Sequence, residues 1–156
     1  MSNDLPNVAE LIAGALARVA EADRPLLIAI AERMAAERYR GWAADPAAAA
    51  DAAALLACAA REEDIASRIE GLYPDAADRA RGLEAASPDL GEVNRTLFAG
   101  RPLAQQFAIQ AGGERLGAAT WRALAALRTD PVGREALLAC APLEEASAQF
   151  LESLRT

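Results

Sequence analysis

The chain contains no histidine among its 156 residues. That absence excludes Ser-His-Asp and Cys-His catalysis, imidazole-ligated zinc and histidine-based pH switching. Lysine is missing as well, so all 16 basic residues are arginine. Cysteine is confined to Cys58 and Cys140, with no CxxC pair. This excludes a disulfide scaffold and a thiolate zinc site. Aromatics make up 4% of the residues. Valine, isoleucine and threonine are few and nothing alternates, so strand signals are absent. The longest apolar run that is not alanine-rich, residues 26–31, is far too short to cross a bilayer. Residues 1–7 are polar and acidic and lack the basic start of a secretory leader, so a cytoplasmic protein is expected. Net charge is −7 and the isoelectric point about 4.7. Without a basic face, neither nucleic acid nor an anionic membrane is an expected partner.

What remains is 42 alanines in a chain that is 53% hydrophobic. Alanine is the best helix former and packs where helices approach closely, so one all-α domain over 1–156 is expected. Apolar residues at helical spacing predict a first helix over 4–21. Asp23 reads as the N-cap of a helix over 24–44, with Pro25 in its first turn. Asp45-Pro46 is a break, after which Pro46 or the following alanines start a helix reaching to 72. Tyr73-Pro74-Asp75 stops it. The proline- and glycine-punctuated stretch over 73–101 reads as a crossover with short helices over 76–86 and 90–98. Long helices over 102–128 and 132–154 follow. Gly112-Gly113 is expected to weaken or bend the former, and Pro142 to kink the latter.

Sliding the chain on itself shows an internal repeat at an offset of 82 residues. Residues 32–72 align without a gap on 114–154, with 17 identities in 41 positions, ten of them not alanine. Composition alone would give roughly five, mostly alanine. The chain therefore reads as two copies of a helical hairpin, 24–72 and 102–154, joined by the crossover. Two hairpins joined by a long connection make a four-helix bundle of the ferritin-like kind. Packed about a pseudo-two-fold axis, they bring repeat-equivalent residues together.

Four repeat-related glutamates stand out: Glu32, Glu62, Glu114 and Glu144. Tyr39 lies two helical turns after Glu32, and Trp121 two turns after Glu114. Cys58 and Cys140 each lie one turn before the second glutamate of their copy. Leu55, Ile65 and Ile69 share the stripe of Glu62, so that carboxylate is expected to point inward. The cysteines and the two aromatics read first as buried core residues. Tyr73, Asn94 and Phe98 in the crossover are candidates to line a pocket.

The segment Glu32-Arg-Met-Ala-Ala-Glu-Arg-Tyr39, followed by Ala60-Arg-Glu62-Glu-Asp-Ile65-Ala66, resembles the rubrerythrin branch of the ferritin-like superfamily. The resemblance covers about 23–72 and 102–154 and lies in spacing more than identity. It implies a four-helix bundle with a carboxylate-bridged di-iron or di-manganese centre, and activities such as peroxide reduction, ferroxidation and oxygen-dependent chemistry. It makes Glu32, Glu62, Glu114 and Glu144 the candidate metal ligands. Where the family carries its two ligand histidines, this chain has Ile65 and Ser147. An oxygen-only site leans towards harder cations such as manganese, magnesium or calcium. With no CxxC pair, these residues are not expected to form the rubredoxin-like iron domain of rubrerythrin.

Four buried, ionised and unpaired carboxylates are not sustainable, because each burial costs several kcal/mol. A bound cation, protonation, pairing with arginine, or a hydrated centre would relieve them. Arg61, Arg68 and Arg122 are candidate partners, whereas Arg33 and Arg115 point to the bundle edge. The leading expectation is a ferritin-like protein with a degenerate di-metal site, acting as a non-catalytic binding or structural protein. The alternative is a carboxylate-bound iron or manganese oxidoreductase or metal-binding protein. A small-molecule ligand within the bundle and a second copy of the chain are the candidate partners.

Overall fold

The structure is a computed structural model that describes residues 5–154. Asp4, where the first helix was expected to begin, lies outside them. Among the described residues there is no strand. Seven α-helices follow one another: α1 (Val8–Ala17), α2 (Arg24–Ala43), α3 (Ala52–Glu70), α4 (Ala76–Ala86), α5 (Leu90–Phe98), α6 (Leu103–Leu127) and α7 (Pro131–Ser153). No single helix among the described residues is long and apolar enough to cross a membrane.

Local chemistry sets the boundaries. The Asn7 side chain accepts from the Glu10 N–H and starts α1 four residues later than expected. Asp130 accepts from the Gly133 N–H at 2.8 Å and, with Pro131 in the first turn, starts α7. Asp23 takes the expected N-cap position of α2, but its side chain makes no capping bond and pairs instead with Arg79 at 2.9 Å. The alanine run after Asp45-Pro46 begins as two short 3₁₀ turns within Pro46–Asp51, divided by a kink at Ala48 (φ −110°, ψ 15°), and becomes α-helical only at Ala52. Gly100 adopts φ +73°, a left-handed conformation suited to glycine, and separates α5 from α6. Helix α6 runs unbroken through Gly112-Gly113, and α7 through Pro142.

Helix α2 packs on α3 and α6 on α7, and the two hairpins meet chiefly through α3 and α7. Helices α1 and α5 lie against α6, and α4 against α2. The outer rim repeats with the sequence. Arg33 bonds Glu70 and Arg115 bonds Glu152 at 37 residues' separation in both copies. Arg40–Glu63 (2.8 Å) and Arg122–Glu145 (2.7 Å) form a second matched pair. Arg33 also reaches Glu63. Glu63 and Glu145 thus tie the two helices of a hairpin together at its edge.

The interior divides into two apolar clusters. One holds Leu26, Ile65, Ile69, Trp121 and Leu137; the other holds Tyr39, Trp42, Leu55, Phe107 and Leu151. Trp42 anchors the second, edge-on to Tyr39 (5.3 Å), Phe107 (5.1 Å) and Phe98 (6.0 Å). On each long helix the repeat glutamate falls, in chain order, where one cluster gives way to the other.

The register of α3 is open to a direct check. Leu55 is fully buried, whereas its neighbour Leu56 is 51% exposed. Leu55→Ala is expected to lower the unfolding free energy by about 2–5 kcal/mol. Leu56→Ala should change it by no more than about 0.5 kcal/mol. Urea denaturation of the two variants measures both, and equal losses would contradict this register.

Candidate metal centre

All four glutamates are interior. Glu62, Glu114 and Glu144 are at most 1% exposed and Glu32 is 9% exposed. Glu32 from α2, Glu62 from α3 and Glu144 from α7 each bring one carboxylate oxygen within 4.8 Å of the other two. Glu114 from α6 stands beside this trio. Its Oε1 accepts from the Tyr39 hydroxyl (2.6 Å) and the Gln110 amide (2.7 Å). Glu144 Oε1 accepts from the Trp121 indole N–H at 2.7 Å. Glu62 Oε1 receives the long 3.4 Å bond of the Ser147 hydroxyl.

Two oxygens remain. With the carboxylates ionised, Glu62 Oε2 and Glu114 Oε2 are buried and find no donor. Buried polar atoms of this kind are uncommon and call for a partner. The expected arginines do not supply one. Arg61 donates to Ser147 (3.0 Å) and Cys58 (3.2 Å), Arg68 pairs with Asp64, and Arg122 with Glu145. Arginine pairing is therefore not what relieves the centre. A side chain the sequence did not single out, Arg38, faces the cluster without touching it.

Charge crowding shows in the acidities. Burial pushes the Glu32 carboxyl up to about 7, while contacts with Glu62 and Glu144 pull it down and the Glu114 charge pushes it up further. Burial, then the charges of Glu114 and Glu32, hold Glu62 well above the usual carboxylate range. Burial and Glu32 do the same to Glu144.

Ile65 and Ser147, equivalent under the repeat, are both fully buried. Ile65 joins the apolar core, while Ser147 links Arg61 to Glu62. The repeat is broken at the aromatics. Trp121 serves Glu144 of its own hairpin, whereas Tyr39 crosses to Glu114 of the other. Both were read as core residues; they are core residues with a polar tip aimed at a carboxylate. Cys58 and Cys140 are buried and free, each one turn from the cluster. Gly117 completes the site: a Cβ there would stand 2.5 Å from Glu144 Oε1. The equivalent residue in the first hairpin is Ala35.

A cavity of about 450 Å³ adjoins the centre, and Glu32, Glu114 and Glu144 line part of it. Asn94 and Phe98 line it as expected for the crossover. Tyr73 does not; its hydroxyl donates to the Ala22 carbonyl. Comparison with family models, curated proteins and solved structures returned no match to this chain.

The acidities fix the sign of a pH dependence. In metal-free buffer Glu32 holds its proton more tightly folded than unfolded, so from 4.5 up through about 7 the folded state carries more protons. Stability therefore falls as pH rises through that window, and Glu62 and Glu144 extend the fall upward. Arg38, the cation facing the cluster, keeps its charge throughout because burial lowers it only to about 10. Urea midpoints measured across this window in chelator should decline with pH, and Glu32→Gln should flatten the decline.

Proposed function

We propose that the chain is a ferritin-like four-helix bundle that binds a hard divalent cation through carboxylates alone, by Glu32, Glu62, Glu114 and Glu144. The observation that carries this reading is the pair of buried carboxylate oxygens, on Glu62 and Glu114, that no donor reaches. The donor set fits. Oxygen-only coordination suits manganese, calcium or magnesium, and the loss of both imidazoles removes the preference for later transition metals. The bare Cα of Gly117 leaves the space that Glu144 occupies. Tyr39, Gln110 and Trp121 each hold one carboxylate oxygen in place and leave the other free to ligate. A cation bound there would polarise an oxygen of a small ligand as a Lewis acid.

The second reading is the metal-free one: a degenerate centre in a non-catalytic binding or structural protein, its carboxyls sharing protons. The lowered acidity of Glu32, which burial pushes up to about 7 in contact with Glu62 and Glu144, favours it. The two readings differ in their response to metal. On the first, Mn(II) at a hundred times its dissociation constant stabilises by about 2.7 kcal/mol. That corresponds to a rise of roughly 5–10 °C in the melting temperature of a domain this size. Glu62→Gln should abolish the rise, yet make the chelated protein more stable near neutral pH by removing a carboxyl whose ionised form is disfavoured by burial and by the Glu114 and Glu32 charges. Gly117→Ala should weaken Mn(II) binding by displacing Glu144. Melting curves of the full chain with Mn(II), Ca(II) or chelator decide: identical curves in all three overturn the cation reading.

A further inference from the structure

The cavity beside the carboxylates has a second chemical feature. The hairpins meet through α3 and α7, and the seam on the opposite side, between α2 and α6, is roofed by α1 and α5. Beneath that roof the walls are mostly apolar, with Leu11, Ile28, Val93, Leu97 and Ile109 among them. At about 450 Å³ the space lies in the range of small-molecule sites. Arg38 also lines it. Its Nε donates to Gln110 Oε1 at 3.0 Å, its Nη1 to Asn94 Oδ1, and its guanidinium carbon sits 3.9 Å over the Phe98 ring. No described carboxylate comes within ion-pairing distance of it.

A guanidinium has five N–H groups, and two amide oxygens and a ring face leave several free. Burial makes a cation without an ion pair costly, and Glu114, Glu32 and Glu62 offset that cost for Arg38 only from a distance. Much of this chain's arginine is ion-paired at the surface; Arg38, like Arg61, is half-buried and held by neutral groups, and of the two it is Arg38 that lines the cavity. Arg38 lies six residues beyond Glu32 on α2, about 9 Å along the helix axis. The cavity thus has a cationic end and, separately, a carboxylate floor whose charge is offset by protons or a bound cation.

We propose that this cavity binds an amphiphile with one carboxylate head and an aliphatic chain, a fatty acid, with the head on Arg38 and the chain between α1, α2, α5 and α6. The head completes the guanidinium's hydrogen bonding as a charge-assisted pair. The chain replaces water against the apolar walls. The proposal does not depend on whether a cation occupies the carboxylate centre.

The test uses three probes of equal chain length, decanoic acid, decanol and decylamine, titrated into the full chain by calorimetry in chelator and again with Mn(II). Decanoate is expected to bind at least about tenfold more tightly than decanol, the equivalent of about 1.4 kcal/mol. Decylammonium should bind more weakly than either. Arg38→Gln should remove the preference for decanoate and leave decanol binding unchanged. Asn94→Asp supplies Arg38 with an internal counter-ion, so it should raise the melting temperature and weaken decanoate binding while the protein stays folded. Failure of all three probes to bind, tighter binding of decylammonium, or unchanged decanoate affinity in a folded Asn94→Asp protein would overturn the proposal. Absence of a Mn(II) effect on melting would instead bear only on the cation centre.

Discussion

Electrostatic self-repulsion among four interior carboxylates is the constraint around which this molecule is organised. Three helices bring oxygens within 4.8 Å of one another, and a fourth adds Glu114 alongside. Like charges so placed in low dielectric cannot all be ionised without compensation. The surrounding residues address only part of the need. Tyr39, Gln110, Trp121 and Ser147 donate to three of the carboxylates, and every one of those donors is neutral. Neutral donors orient a carboxylate but leave the net charge where it was. The apolar clusters on either side exclude water from the layer and sharpen the conflict.

Most of the helical layout was legible because its signals are local. The crossover helices α4 and α5 fall on the expected residues, and the breaks at Asp45-Pro46 and Asp130-Pro131 fall where proline forbids continuation. Gly112-Gly113 and Pro142 sit inside continuous helices, as their expected spans had them, because packing against a partner helix outweighs propensity. Asp23 had the chemistry of a cap but met Arg79 from a distant helix, a competition no window of sequence displays.

The candidate site was half legible. The offset of 82 residues identified the four glutamates, and all four are interior. Periodicity placed Tyr39 and Trp121 on the same faces but says nothing about where a hydroxyl or an indole N–H ends. Arg38 went unnoticed because its repeat equivalent is Thr120, so the comparison that found the glutamates passed over it. Its environment is built by Asn94 and Phe98 from the crossover and Gln110 from the second hairpin, three contacts at long separation in the chain. The cavity is likewise a property of how α1 and α5 roof a seam, which depends on tertiary placement.

The doubled ion pairs at the rim have a structural corollary. Arg33–Glu70 and Arg115–Glu152, with Arg40–Glu63 and Arg122–Glu145, brace both hairpins at matching levels. Sliding one helix along its neighbour by a turn would break both rungs of a hairpin together. With the alignment of each helical pair fastened from outside, interior positions are free to diverge: isoleucine opposite serine, tyrosine opposite tryptophan, alanine opposite glycine. A repeated exterior thus houses a lopsided interior, whose two halves offer unequal hydrogen-bond donors to the carboxylates between them.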